Sequence, residues 1–137
     1  MRTPDEVQLA LIEHLKADAT LIALLGTADH IKEVEWQGAE FTYPAVRVEN
    51  DVMPDNKAPY CYPDDVNITI FCMSEKKSSK ECQLVMKEIA TYLHGHPFTA
   101  TNGLKFVFIR VTKMPYPKQQ EGQTIWVSPI ELVAQVS

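Results

Sequence analysis

The stretch Val66-Asn67-Ile68-Thr69-Ile70-Phe71-Cys72 sets apolar against polar side chains with a period of two. Successive side chains of an extended chain point to opposite faces, so this is a strand with one apolar face. A few residues on, the period changes. Cys82, Val85, Met86, Ile89 and Leu93 recur at helical spacing and form the stripe of a helix lying on a core. That helix is predicted from Glu75 or Ser79 to His94, capped by Ser74 or Ser78 and stopped by Gly95. Ser78 has Glu81 in the capping-box position. A strand feeding an amphipathic helix places both on one core, and the rest of the chain is read outward from this pair.

Upstream, Thr3 at the cap, Pro4 at the first helical position and Glu6 three residues after the cap open a helix. Its inner face carries Val7, Leu11 and Leu15, with Ala10 and His14 beside them. Asp18 caps a second, short helix from Ala19 to Leu25, with Gly26 as its left-handed stop. Ile31 to Trp36 and Tyr43 to Glu49 read as strands, with Pro44 at the start of the second, where a missing N–H is tolerated. Downstream, the Asn102-Gly103 turn leads into a strand from Leu104 to Lys113, and Thr124 to Val136 forms the last. Pro129 within that last strand predicts a bulge or an exposed edge. The order is α-α-β-β-β-α-β-β, and short loops favour antiparallel hairpins. The expected fold is α+β: a two-layer sandwich with a mainly antiparallel sheet of about four to five strands and helices on one face.

At 137 residues, the chain is read as one domain, 1–137. A hydrophobic content of 45% is enough for a core without disulfide staples. The net charge of −5 and scattered Lys and Arg argue against nucleic-acid recognition, which draws on basic side chains displacing phosphate counterions. No apolar run reaches the length of a membrane span, and the first residues lack a signal-peptide core, so synthesis and residence in the cytoplasm are expected. Cys61, Cys72 and Cys82 are odd in number and unpaired in spacing, which predicts reduced thiols. Asn67-Ile68-Thr69 matches a glycosylation sequon inside a strand and is read as a chance match.

The chain is poor in chemistry. Cys82 with His94 would make a nucleophile and base, but Cys82 lies on the apolar stripe, where a thiol stays protonated. His94-Gly95-His96 lacks the second ligand pair of a zinc site and fits a helix C-terminus instead. Asp51, Asp55, Asp64 and Asp65 do not match a calcium loop and are read as solvated acids. No glycine-rich phosphate loop or hydrolase motif is present, so neither a catalytic site nor a cofactor or metal is expected.

Two features point to binding. Strict alternation would set Leu104, Phe106 and Phe108 against Val107, Ile109 and Val111, giving a strand apolar on both faces. Helices are expected to cover the aromatic side, leaving Val107 and Ile109 for another copy of the chain. The connections Asp51 to Asp65 and Pro115 to Gln123 are long and proline-rich, and are expected to project from the same or adjacent ends of the sheet and contact partners. Asp51, Met53, Asp55, Lys57, Tyr60, Tyr62, Tyr116 and Lys118 are therefore the candidate interface residues, with Val107 and Ile109 on the sheet. An alternative is a monomeric module for a small ligand or peptide, with Tyr60, Tyr62 and Tyr116 as pocket walls.

The whole chain resembles the tail terminator proteins of long-tailed bacteriophages, also called tail completion or tail-to-head joining proteins. The resemblance runs from about Val7 to Val133. It rests on a leucine-rich N-terminal helical segment ending in Leu24-Leu25-Gly26, the strand Tyr43-Pro44-Ala45-Val46-Arg47-Val48, and the strand Val66 to Phe71 passing through Cys72 and Met73 to Ser74. A helix closing in Leu93-His94-Gly95 and two C-terminal strands complete it. The long Asp51–Asp65 segment and Pro129 depart from the family pattern. The resemblance implies a non-enzymatic subunit of a six-fold ring in the virion, at the head-proximal end of the tail. Such a ring caps the tail tube protein, stops its polymerisation, meets the head-completion or connector protein and lets DNA pass through its lumen. Copies at −5 each repel one another, so closure is expected to be favoured by salt, high concentration or a tube end.

Overall fold

The computed structural model describes residues 3–33, 43–53, 64–119 and 124–137. The chain runs through α1 (Pro4–Lys16), α2 (Ala19–Leu25), a 3₁₀ turn (Ala28–His30), β1 (Ile31–Glu33), β2 (Ala45–Met53), β3 (Asp64–Ser74) and α3 (Lys80–Leu93). It continues through β4 (Phe98–Thr99), β5 (Lys105–Lys113), β6 (Lys118–Gln119) and β7 (Trp126–Val136).

The helices begin where short-range chemistry starts them. Thr3 Oγ1 accepts from the Glu6 amide at 3.3 Å, and Asp18 Oδ1 accepts from the Thr20 amide at 3.1 Å. Gly26 takes φ +89° at the end of α2, a conformation that costs a side-chain-bearing residue. At α3 the cap is Ser79, not Ser74 or Ser78, and its hydroxyl makes no capping bond. Ser74 is buried instead, and its Oγ donates to Glu81 at 2.7 Å.

The sheet has seven strands in the order β1-β2-β3-β7-β5-β4, with β6 also on β7. It is mixed, because β1 runs parallel to β2 while the other pairs are antiparallel. The sheet is mainly antiparallel as expected, but it is mixed, has seven strands where four to five were expected, and adds the short β4 and β6 to the expected order, so it is not a plain two-layer antiparallel sandwich. The parallel pair arises because β1 and β2 are joined by a long connection, which permits a crossover where a tight hairpin would not. The part of the first predicted strand beyond Glu33 lies outside the described residues.

One sheet face carries the core in register. Val48, Ile70 and Ile130 align across β2, β3 and β7, as do Val66, Ala134 and Ile109 across β3, β7 and β5. All are buried with Val7, Leu11 and Leu15 of α1, Leu21 and Leu25 of α2, and the predicted stripe of α3. The sheet curls around α1. On one side Gln8 Nε2 donates to the Val48 carbonyl at 2.7 Å; on the other Thr101 Oγ1 donates to Glu13 at 2.7 Å. The His14 ring stacks on Phe98 with centroids 3.5 Å apart, pinning the β4 hairpin to the helix.

β5 departs from alternation. Phe106 pairs with Val136 and Phe108 with Gln135, so Val107 is an extra residue in a bulge. The inward parity shifts by one. Leu104, Phe106 and Ile109 are buried, Val111 packs on the core, and Val107 and Phe108 face out at 46% and 44% exposure. Ile109 therefore does not belong to an outward face, and Phe108 does not belong to the helix side. The outer face is mixed, with Glu49, Asp51, Asp65, Asn67, Arg110 and Glu131 exposed on it and Phe71, Met73, Val127, Pro129 and Val133 half-buried between them.

β7 holds a continuous register with β3 through Pro129, opposite Phe71, so it carries no bulge against β3 and is a central strand. On its other side the β5 ladder ends at Glu131 and the β6 ladder begins at Val127, leaving Pro129 in the gap between them. That gap is where a residue without an N–H fits.

Candidate functional site

Met114, Pro115, Tyr116 and Pro117 leave the sheet between β5 and β6, because two prolines in four positions cannot sustain a ladder. The segment is tied down at both sides. Ser128 Oγ donates to the Pro115 carbonyl at 2.8 Å, Pro117 is buried, and the Tyr116 hydroxyl lies 3.3 Å from Ser79 Oγ. Gln83 Nε2 donates to the same Ser79 oxygen at 2.9 Å.

Between this strap and the first half of α3 runs a groove of about 650 Å³. Leu84, Met86, Met114 and Tyr116 supply its apolar surface, and Lys80 and Lys87 stand at its rim. Leu84, Met114 and Tyr116 are 45%, 44% and 68% exposed, so three large apolar side chains share one patch of surface. A shallower depression of about 420 Å³ continues it along α3, past Ala90, Thr91 and His94 to Val111. There His94 Nδ1 accepts from the Val111 amide at 3.0 Å, closing the end of the helix onto β5.

A second concavity, of about 360 Å³, is polar. Asp5, Glu33, Glu49 and Asp51 gather there with Gln8 and Asn50, where α1 starts over β2. Asn50 Nδ2 donates to the Pro4 carbonyl at 3.1 Å and holds the two elements together.

The structure separates the candidate interface residues. Tyr116 lines the groove, Lys118 is exposed at the start of β6, and Asp51 belongs to the acidic concavity. Val107 is exposed on the outer face and Ile109 is in the core. Met53 closes β2, its backbone paired with Asp65. Asp55, Lys57, Tyr60 and Tyr62 lie outside the described residues. The two long connections leave from opposite ends of the sheet, not from the same end. Met53 and Asp64 bracket one beside the C-terminal end of β7, while Lys113 and Trp126 bracket the other at its N-terminal end.

Among the described residues the two cysteines sit together in the core. Cys82 Sγ donates to the Cys72 carbonyl at 3.3 Å inside the core, and burial, helped by Glu81, pushes its thiol up to about 11. Burial, with Cys82 beside it, raises Cys72 well above the ordinary thiol range. Among the described residues no three His, Cys, Asp or Glu side chains converge as metal ligands, and no helix is long and apolar enough to cross a membrane. Sequence reasoning missed Lys80, Leu84 and Lys87, whose signal was a leucine on the charged side of α3 with lysines one turn either way.

A model of the tail completion protein gp17 family matches residues 9–127. No curated protein matches the chain. Among solved structures, a chain of the "Virion of native gene transfer agent (GTA) particle" superposes with a TM-score of 0.77 at 17% identity. The match covers 95% of this chain and 93% of that one. A second solved structure superposes with a TM-score of 0.61 at 15% identity, over 100% of this chain and 97% of the other. At these identities the likeness is one of fold.

Proposed function

The chain belongs to the tail completion protein gp17 family, and from that premise we propose that it is the structural subunit of a ring that caps a phage tail tube. In this reading the ring stops tube polymerisation and joins the tail to the head connector, at the head-proximal end of the virion. Six copies in the ring and a lumen for DNA are part of the proposal. An acidic protein suits such a lumen, since a basic lining would hold the phosphates.

The observation that carries it is the groove beside α3. Leu84, Met114 and Tyr116 are apolar, exposed and rigidly backed, as befits a surface awaiting a protein partner. Electron microscopy of growing tubes tests the reading. Added protein is expected to form rings on one tube end, halt growth and make that end competent for heads. Tubes that grow and join heads equally well without it would overturn the proposal. The alternative, a monomeric module with Tyr116 as a pocket wall, predicts a monomer on tubes as in solution and saturable binding of a small ligand or peptide in the groove.

A further inference from the structure

The exposed large apolar side chains of the described residues are Leu9, Leu84, Val107, Phe108, Met114 and Tyr116. Leu84, Met114 and Tyr116 form the groove, whose rim is Lys80 and Lys87. Neither carboxylate of α3 lines the groove, and each is engaged within the chain, although Glu81 shares a neighbouring depression with Lys80 and Leu84. Glu81 accepts from Ser74 at 2.7 Å, and Glu88 faces Asp18. The groove is thus an apolar floor between two cations. Val107 and Phe108 are poor occupants, because Lys105 and Arg110 are exposed beside them on the same strand and would meet the rim lysines.

Leu9 differs. It is 50% exposed on the outward side of α1, with exposed Asp5 one turn before it and exposed Glu13 one turn after. Glu13 keeps one oxygen on Thr101, which fixes its carboxylate in place. The stripe Asp5–Leu9–Glu13 spans roughly 12 Å and the stripe Lys80–Leu84–Lys87 roughly 10 Å at the helical rise. One is acid–leucine–acid, the other base–leucine–base. Asp5 also opens onto the concavity of Glu33, Glu49 and Asp51, which extends the negative surface.

We infer that the groove beside α3 receives the outward stripe of α1 from a second copy of the chain. Leu9 of the incoming copy sits against Leu84, Met114 and Tyr116, while its Asp5 and Glu13 meet Lys80 and Lys87. The two surfaces are different, so the contact is heterologous and passes from copy to copy, as a ring requires. One copy can use both at once. α1 and α3 touch near their C-terminal ends, where the Tyr92 hydroxyl donates to the His14 carbonyl at 3.1 Å. The Asp5–Leu9 part of the stripe and the groove both lie toward the N-terminal ends, away from that junction. Closure into a ring rests on the proposed function; the pairwise contact does not.

The inference reverses the salt dependence drawn from net charge. Repulsion between copies at −5 is a long-range term, screened beyond ~8 Å, whereas paired opposite charges act at contact. Association should therefore weaken as salt rises.

Sedimentation of the full chain over a salt series, alone and with tail tubes, tests this with two charge-reversed variants, K80E/K87E and D5K/E13K. Each variant alone is expected to associate at least about tenfold more weakly than the native chain. Mixing the two should restore assembly, because each then meets its complement. A variant that had simply misfolded could not be rescued in this way. If K80E/K87E assembles like the native chain, or association tightens with salt, the contact is wrong while the ring reading stands. Rings that form normally from K80E/K87E but no longer bind tubes would make the tube protein the occupant and overturn the inference. A native chain that stays monomeric even on tubes would end both.

Discussion

Ile109 and Val107 are two residues apart and meet opposite surroundings, at 1% and 46% exposure. An aspartate at Ile109 would bury an unpaired charge in the core and should cost more than about 3 kcal/mol, enough to unfold a marginal domain. Val107→Asp should stay within about 0.5 kcal/mol of the native chain. Urea melts of the pair check both, and equal midpoints would contradict the assigned parity of β5. The cysteines divide more finely. Cys82→Ser can still donate to the Cys72 carbonyl, whereas Cys72→Ser places a hydroxyl at a fully buried position and should cost about 1–3 kcal/mol, the larger loss of the two. His14 carries a pH dependence. Burial lowers its pKa below the ordinary 6.5, with Asp18 opposing. The unfolded chain therefore takes up this proton first as the pH falls, so the contribution to stability is full above 6.5 and is lost below it, toward the folded pKa. Comparing His14→Phe, which keeps a ring against Phe98 and Tyr92, with the native chain from pH 7.5 to 5 isolates the effect. Parallel stability curves would contradict it.

At the scale of the element, β5 is the informative strand. Its bulge places one residue, Val107, without a cross-strand partner between the Phe106–Val136 and Phe108–Gln135 pairs. Deleting Val107 would bring Phe106, Phe108 and Ile109 into simple alternation while keeping each partner and each buried side chain. A chain lacking Val107 should therefore fold cooperatively, which is rare for a deletion inside a strand, whereas deletion of Ile109 should not. Circular dichroism and thermal melting of the two deletions decide it. A second irregularity lies between Val111 and Lys113, where Thr112 Oγ1 donates to the Glu131 carbonyl at 3.0 Å. The strand nevertheless stays paired with β7 to its last residue, Lys113 opposite Glu131, and the Met114–Pro117 strap begins just beyond it.

For the whole molecule, the segregation of charge matters more than its sum. Net charge treats the protein as a uniformly negative body, while the fold gathers Asp5, Glu33, Glu49 and Asp51 at one place and leaves Lys80 and Lys87 beside an apolar groove at another. The long connection after Met53 can be tested at this scale. β2 and β3 pair along their full described length, so replacing residues 54–63 with a tight turn should leave the fold intact. Tail completion should be lost if the connection contacts a partner. A shortened chain that misfolds would show the connection to be structural, and one that folds and completes tails would show that it contacts nothing essential.

The sequence by itself determined what short-range chemistry determines. The caps at Thr3 and Asp18, the stop at Gly26 and the buried stripe of α3 depend on neighbours within a turn or two, and all stand as read. So does the inward face of β3, because clean alternation needs no partner to define it. Loop length and residue type single out Tyr116, Lys118 and Asp51 as a proposed interface, and the fold puts Tyr116 and Asp51 on separate surfaces. Tertiary structure alone decided the parallel pairing of β1, the parity of β5 and the opposite placement of the two long connections. Each depends on which strand lies alongside, and that pairing is set by hydrogen bonds between residues far apart in the chain. Leu84 and Leu9 belong to the same class. A single leucine on a polar helix face is ordinary in a sequence, and it became a candidate contact only when folding set Leu84 beside Met114 and Tyr116 and turned Leu9 outward between carboxylates.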